Sequence, residues 1–245
     1  MKEDISEDTG ASIFDPVICE IVYRWFCPEG GSVIDPFAGG SVRGIVAGYL
    51  GHFYTGIDLR KNQIAANEVQ AEVINPVIKP KWICGNSDKI TEIAPGKYDL
   101  VFSCPPYYDL EIYSDIEGDL SNIGTYEEFI TKYRCIIKQC CDMLKDNRFA
   151  CFVVGDIRDK NGFYRNFVAD TISAFQDNNV LLYNEAILVT AIGSLPIRIT
   201  KQFGNRKLGK CHQNVLVFYK GDPRQIKNEF TDFNISDQVA GVGTE

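Results

Sequence analysis

Short apolar runs alternate with segments of helical periodicity along most of this chain, and that alternation admits few folds. Strands are expected at Ser32–Phe37, His52–Leu59, Lys81–Asp88, Tyr98–Cys104 and Arg148–Asp156. Helix-like segments separate them, at Pro16–Phe26, from Gly39 onward, at Lys61–Ile74, from Thr125 to about Leu144 and at Phe163–Asn178. Repeats of ~20–35 residues in this order imply strand–helix–strand crossovers and a doubly wound parallel sheet. Two further strands, Val180–Thr190 and Gln213–Gly221, come late in the chain, which suits an antiparallel pair at one sheet edge. Thr125 with Glu128 three residues on is a capping box. Residues 108–124 are too polar and Gly-spotted for a core element and read as a long functional loop.

With 245 residues, 45% of them hydrophobic, the chain can bury one sizeable core. The expected layout is one domain over residues 13–222, a flexible segment 1–12 and a mobile tail 223–245. No apolar run approaches about 18 residues, and the acidic start MKEDISEDTG is not a signal peptide, so no membrane partner is expected. Nine cysteines without a C-x-x-C pair, beside only two histidines, lack zinc-ligand spacing, so no metal is expected. Most sit in apolar runs and read as small buried hydrophobes of a reduced cytoplasm.

Two motifs carry chemistry. In Val33-Ile34-Asp35-Pro36-Phe37-Ala38-Gly39-Gly40-Ser41 a buried strand ends in a Gly turn that opens a helix. Glycines let a ligand approach the backbone, and the helix start offers free N–H groups. Asp58 ends the next strand, about 20 positions on, where a carboxylate can accept from ribose hydroxyls or else cap the following helix. The spacing also fits a dinucleotide enzyme, although the strict G-x-G-x-x-G is missing. The second motif is Cys104-Pro105-Pro106-Tyr107, at the end of a strand. Prolines donate no backbone hydrogen bond but keep their carbonyls as acceptors. Acceptors beside an aromatic face suit the amine and ring of a base, and a rigid turn with packed aromatics is the plainer alternative.

DPFAGGS resembles the cofactor motif of the S-adenosylmethionine-dependent DNA amino-methyltransferases, and CPPY resembles their catalytic tetrad, usually Asp, Asn or Ser before Pro-Pro-aromatic. The likeness runs from IFDPVICEIV to HQNVLVFYKGD, roughly residues 13–222. It implies a Rossmann-like, doubly wound, seven-stranded mixed sheet (the class I methyltransferase fold) with S-adenosylmethionine as cofactor. Asp35, Phe37, Gly39 and Gly40 are implied to line its methionine moiety, Asp58 its ribose, Asn86 and Ser87 its adenine, and Phe14 and Asp15 the family's extra motif. Cys104, Pro105, Pro106 and Tyr107 are implied to hold a base flipped from DNA, with methyl transfer to N4 of cytosine or N6 of adenine. Restriction-modification enzymes work this way, so a companion nuclease or specificity protein is an implied partner.

Cys104 departs from the family pattern. A neutral thiol is a weak acceptor, and Ser103 is the neighbour placed to take over part of the role. Ser in this position goes with cytosine in the family, which leans the reading towards N4. A cysteine attack on the pyrimidine ring, as in carbon-5 methyltransferases, resembles a Pro-Cys order instead.

Net charge is −8, yet residues 198–220 hold six basic and no acidic side chains. Arg198 precedes, and Lys201, Arg206, Lys207 and Lys210 fall in, an expected mobile loop Ile199–Lys210; the five are suited to phosphates, or belong to a merely solvated hairpin. Asp156 and Arg158 either shape the target pocket or form a turn ion pair. Tyr113, in the loop after the tetrad, is placed to fill a gap left in the duplex. Besides DNA methylation, the sequence admits a non-catalytic cofactor- or DNA-binding relative weakened at Cys104, and methylation of RNA or of a protein glutamine.

Overall fold

The computed structural model describes residues 14–108, 120, 123–190, 195–200 and 202–231, with the side chain of Arg198 excluded. Its centre is a seven-stranded sheet in the order β3-β2-β1-β4-β5-β7-β6. The strands are β1 Ser32–Asp35, β2 Phe53–Asp58, β3 Lys81–Cys84, β4 Tyr98–Ser103, β5 Leu144–Val154, β6 Leu181–Val189 and β7 His212–Lys220. β1 to β5 run parallel. β7 enters antiparallel between β5 and β6, so the late pair closes one edge, as its position in the chain suggests.

The longer helices are α1 Pro16–Phe26, α2 Val42–Tyr49, α3 Lys61–Ile74, α5 Tyr126–Met143 and α6 Phe167–Gln176. The short ones are α4 Ile90–Ile93, α7 Leu195–Thr200 and α8 Ile226–Glu229. α1 starts where Pro16 sits in its first turn and Asp15 accepts from the Val17 amide. The Thr125–Glu128 capping box is formed at the start of α5.

Side chains alternate between the two faces of the sheet. Leu100 and Phe102 of β4 join Cys19, Val22 and Tyr23 of α1 and Ala47 of α2 in one core layer. Val101 joins Phe129, Tyr133 and Ile137 of α5 and Phe167 of α6 in the other. All six residues of β4 are buried, as befits a strand covered on both faces.

Three expectations change here. The segment 199–210, expected as a mobile loop, begins in the last turn of α7 and holds a 3₁₀ turn at Phe203–Asn205, while residues 206–210 belong to no helix or strand. The first part of the expected tail is structured: Phe230 packs on Phe149 at 5.3 Å between ring centroids, and Arg148 pairs with Glu229 at 2.7 Å. Sequence periodicity misses so short a helix because one aromatic anchor holds it. Cys84 is exposed although it lies in an apolar run, because β3 is the sheet's other edge. Tyr113 and most of the loop after the tetrad lie outside the described residues. Among the described residues no helix is long and apolar enough to cross a membrane.

Candidate active site

β1 and β4 lie side by side in parallel, with Val33 opposite Leu100 and Ile34 opposite Val101. The chain leaves β1 towards β2 on one side, while β4 continues the sheet on the other. This is the switch point of the strand order, and ligands of open α/β sheets bind in the crevice beyond the strand ends there. The two sequence motifs, far apart in the chain, both begin at that crevice.

Asp35, the last residue of β1, is fully buried and both of its oxygens are engaged. Oδ2 accepts from Arg43 Nε and from the Tyr54 hydroxyl, each at 2.7 Å. Oδ1 accepts from the Phe37 amide at 3.0 Å and from the Ser103 hydroxyl at 2.5 Å. A buried carboxylate needs a cation and several donors to offset its lost hydration, and this one has them. Burial by itself would lower the Arg43 pKa, but the Asp35 carboxylate beside it raises it, so the guanidinium stays charged. Burial, with Asp35 alongside, holds the Tyr54 phenol well above its ordinary value, so it stays a donor.

Arg43 also grips the Gly turn from below. It donates to the Phe37 carbonyl at 2.6 Å and to the Ala38 carbonyl at 2.9 Å. Its guanidinium lies 4.7 Å from the centre of the Phe14 ring. From the β2 side, the Ala38 amide donates to the Ile57 carbonyl at 2.9 Å, and the Gly39 amide to Asp58 Oδ2 at 3.1 Å. Asn67 Nδ2 donates to the Gly39 carbonyl at 2.8 Å. The turn is therefore held at almost every peptide. Gly39 has φ +51°, in the left-handed region, and a Cβ added at Gly39 or Gly40 would meet nothing within 4 Å among the described residues. Against those residues the turn presents bare backbone.

The other residues singled out by sequence distribute around this turn. Asp58 Oδ1 accepts from the Arg60 amide at 2.8 Å, so its capping role is local, and the N-cap residue of α3 is Arg60. Ser87, buried, donates to the Pro36 carbonyl at 2.5 Å and so pins the loop after β3 to the turn. Asn86 Oδ1 accepts from the Asp88 amide at 2.9 Å. Phe37 stacks on Tyr133 at 6.2 Å. Phe14 meets Phe102 edge-on at 5.9 Å, while Asp15 is exposed and spent on capping α1.

Cys104 is half-buried, Pro105 buried, and Pro106 and Tyr107 half-buried. The Tyr107 ring rests edge-on against Phe167 at 6.1 Å, and its hydroxyl accepts from Gln213 Nε2 at 2.7 Å. The sequence suggested that Ser103 takes over part of the role of Cys104, and its position does not allow this. It is fully buried and its hydroxyl is committed to Asp35. Asp156 accepts from the Val168 amide at 3.1 Å near the start of α6, and Arg158 donates to the Gly162 carbonyl at 2.7 Å. Both shape their own loop. Arg206 is exposed, Lys207 and Lys210 are half-buried, and Lys201 and the Arg198 side chain lie outside the described residues.

Sequence reading missed Arg43, Tyr54, Asn67 and Gln213. Arg43 leaves a trace, a lone cation in the apolar stretch Val42–Leu50. Gln213 leaves none, since only the antiparallel entry of β7 brings it to Tyr107.

A scan against protein-family models finds no match, and a search of the curated proteins finds none either. The solved structures do contain similar folds. TrmN from Thermus thermophilus matches with a TM-score of 0.57 at 11% identity, over 84% of this chain, and the present chain spans 49% of that protein. A methyltransferase from Pyrococcus furiosus matches with a TM-score of 0.56 at 17% identity, over 89% of each chain. Magnesium protoporphyrin IX methyltransferase from Synechocystis, with bound SAM, matches with a TM-score of 0.53 at 14% identity, over 84% of this chain and 79% of that one. The fold is the Rossmann-like class I methyltransferase arrangement, a seven-stranded mixed sheet.

Proposed function

We propose that this protein is an S-adenosylmethionine-dependent DNA methyltransferase that modifies an exocyclic base amine, with cytosine N4 favoured over adenine N6. One observation carries the reading. The Pro-Pro-Tyr turn at the end of β4 and the bare Gly turn at the end of β1 start from adjacent parallel strands, bolted together by the Ser103–Asp35 hydrogen bond.

The residues at the Gly turn fit the cofactor. Gly39 and Gly40 leave open space where any side chain would stand. Asp58 has three protein donors on two oxygens, and a carboxylate can accept about four, so capacity remains for a ribose hydroxyl. When bound, the cofactor supplies an electrophilic methyl group on a sulfonium. The protein's part is to orient and to accept hydrogen bonds. The Pro105 carbonyl and Cys104 Sγ accept from the amine, which favours a more tetrahedral, more nucleophilic nitrogen. Tyr107, steadied by Gln213 and Phe167, stacks on the flipped base. Arg206, Lys207 and Lys210 contact phosphates.

Incubation of the full chain with methyl-labelled cofactor and mixed-sequence unmodified DNA tests this reading. Label should enter DNA, and Pro105→Ala or Tyr107→Ala should abolish it. Methyl found on carbon 5, or label entering only RNA or protein, would overturn it.

A further inference from the structure

The segment between β5 and α6, residues 155–165, is built more rigidly than a connector requires. Arg158 and Tyr164 form an antiparallel bridge, and the Arg158 guanidinium lies 3.8 Å from the centre of the Tyr164 ring. The Asp159 amide donates to the Phe163 carbonyl at 2.8 Å, the Gly162 amide to the Asp159 carbonyl at 2.9 Å, and the Arg165 amide to the Ile157 carbonyl at 2.9 Å. The Asp159 carboxylate accepts from the Phe163 amide at 2.8 Å. All this order holds out one apolar side chain: Phe163 is 74% exposed. A hydrophobic ring fixed in water on a braced loop loses burial energy without any gain inside the fold.

Cations stand around it, beside the Asp159 carboxylate that braces the loop. Lys160 is exposed on the same loop. Lys207 reaches across from the segment before β7 and lies against Gly162, where a side chain would collide with it. The loop and the basic segment, about 45 residues apart in sequence, thus meet at Gly162 and Lys207. The two segments carry Lys160, Arg206 and Lys207, and each has an exposed aromatic, Phe163 on the loop and the 64% exposed Phe203 on the basic segment. The loop starts beside the tetrad: a Cβ at Gly155, its first residue, would stand 3.4 Å from the Tyr107 hydroxyl. Cations interleaved with exposed aromatic faces are the pattern that grips a phosphate backbone and stacks on bases.

We propose that this braced loop is a second DNA-contacting element beside the basic segment, and that Phe163 at its tip stacks on a base of the bound DNA. The inference rests on the DNA-methylation reading and adds to it the residues that hold the strand. The charge of the surface selects a polyanion, and the planar side chain selects one that offers flat rings.

Fluorescence anisotropy of a fluorescein-labelled mixed-sequence DNA, as duplex and as single strand, tests it with the full chain. Phe163→Ala should weaken binding of at least one form by on the order of tenfold with an unchanged salt slope. Phe163→Tyr should restore affinity, and Lys160→Ala should lower the salt slope by about one. Thermal unfolding of Phe163→Ala should match the parent, which separates lost stacking from lost structure. If Phe163→Ala binds both forms like the parent while Arg206→Ala binds more weakly, the stacking role is overturned and the methylation reading stands. If the parent chain binds neither form, the DNA reading falls and this inference with it.

Discussion

The Ser103 hydroxyl donates to Asp35 Oδ1 at 2.5 Å, joining the last residue of β4 to the last residue of β1. The same carboxylate holds Arg43, and Arg43 holds the carbonyls of the Gly turn. The Pro-Pro-Tyr strand end and the Gly turn therefore share one buried hub. Their spacing is set by hydrogen bonds below the surface.

Breaking that hub from one side should be costly. Arg43→Met leaves the Asp35 carboxylate buried without its cation, and a loss of about 3–5 kcal/mol is expected. Urea unfolding at neutral pH measures it. Asp35→Asn combined with Arg43→Met should be less destabilised than the sum of the two single changes, because neither charge is then stranded. Additive losses would show that the two residues act separately.

Gln213 and Tyr107 should behave as one unit. Gln213→Ala removes the donor to the Tyr107 hydroxyl, and Tyr107→Phe removes the acceptor. On the proposed reading, each should reduce kcat about tenfold by loosening the ring proposed to orient the base, with little change in the KM for the cofactor. The double variant should be no slower than either single one. A further tenfold drop in the double variant would mean that the hydrogen bond does not position the ring.

On the proposed reading, replacement of Cys104 should quicken methyl transfer. A carboxylate accepts a hydrogen bond roughly twice as strongly as a neutral group, a difference of about 1 kcal/mol. Cys104→Asp should therefore raise single-turnover rates on DNA about fivefold. An unchanged or lower rate would show that the pocket is built around the thiol.

Acid should unlatch the far side of the sheet first. Burial by itself would raise the Asp99 pKa, but hydrogen bonds from Lys145, from the amide and hydroxyl of Ser32 and from Arg148 outweigh it and bring the carboxyl down to about 2, against an ordinary 3.8. A carboxylate with a depressed folded-state pKa adds stability above its unfolded value, and that stability is lost as pH falls through the folded one. Between about pH 4 and pH 2 the parent should lose about 1–2 kcal/mol more than Asp99→Asn. Denaturant midpoints at pH 5, 4, 3 and 2 report the difference, and parallel curves for the two proteins would count against the latch.

Much of the fold was legible in the chain. Pro16, the Thr125–Glu128 box and the apolar runs mark where elements begin and end, because those signals act within one turn of helix or one strand. The antiparallel closing pair followed from its place at the end of a parallel series. The basic segment was legible as charge but not as shape. α7 and the Phe203–Asn205 turn lack a periodic apolar face long enough to register, and Lys207 finds its place only against Gly162.

The candidate site divides the same way. By itself the sequence determined which groups stand at the crevice: a Gly turn after β1, a carboxylate after β2 and a Pro-Pro-Tyr turn after β4. Each is set by covalent chemistry that acts locally, through missing side chains or missing N–H groups. Only the tertiary structure decided which of them are free to meet a ligand. Asp35 and Ser103 look like site residues in the chain, yet they face each other inside the fold, with no exposed surface. Gln213 looks like an unremarkable strand residue, yet it holds the ring of Tyr107 from 106 residues away. Burial and long-range hydrogen bonding depend on strand order, and strand order is a property of the whole sheet that no local run of residues contains.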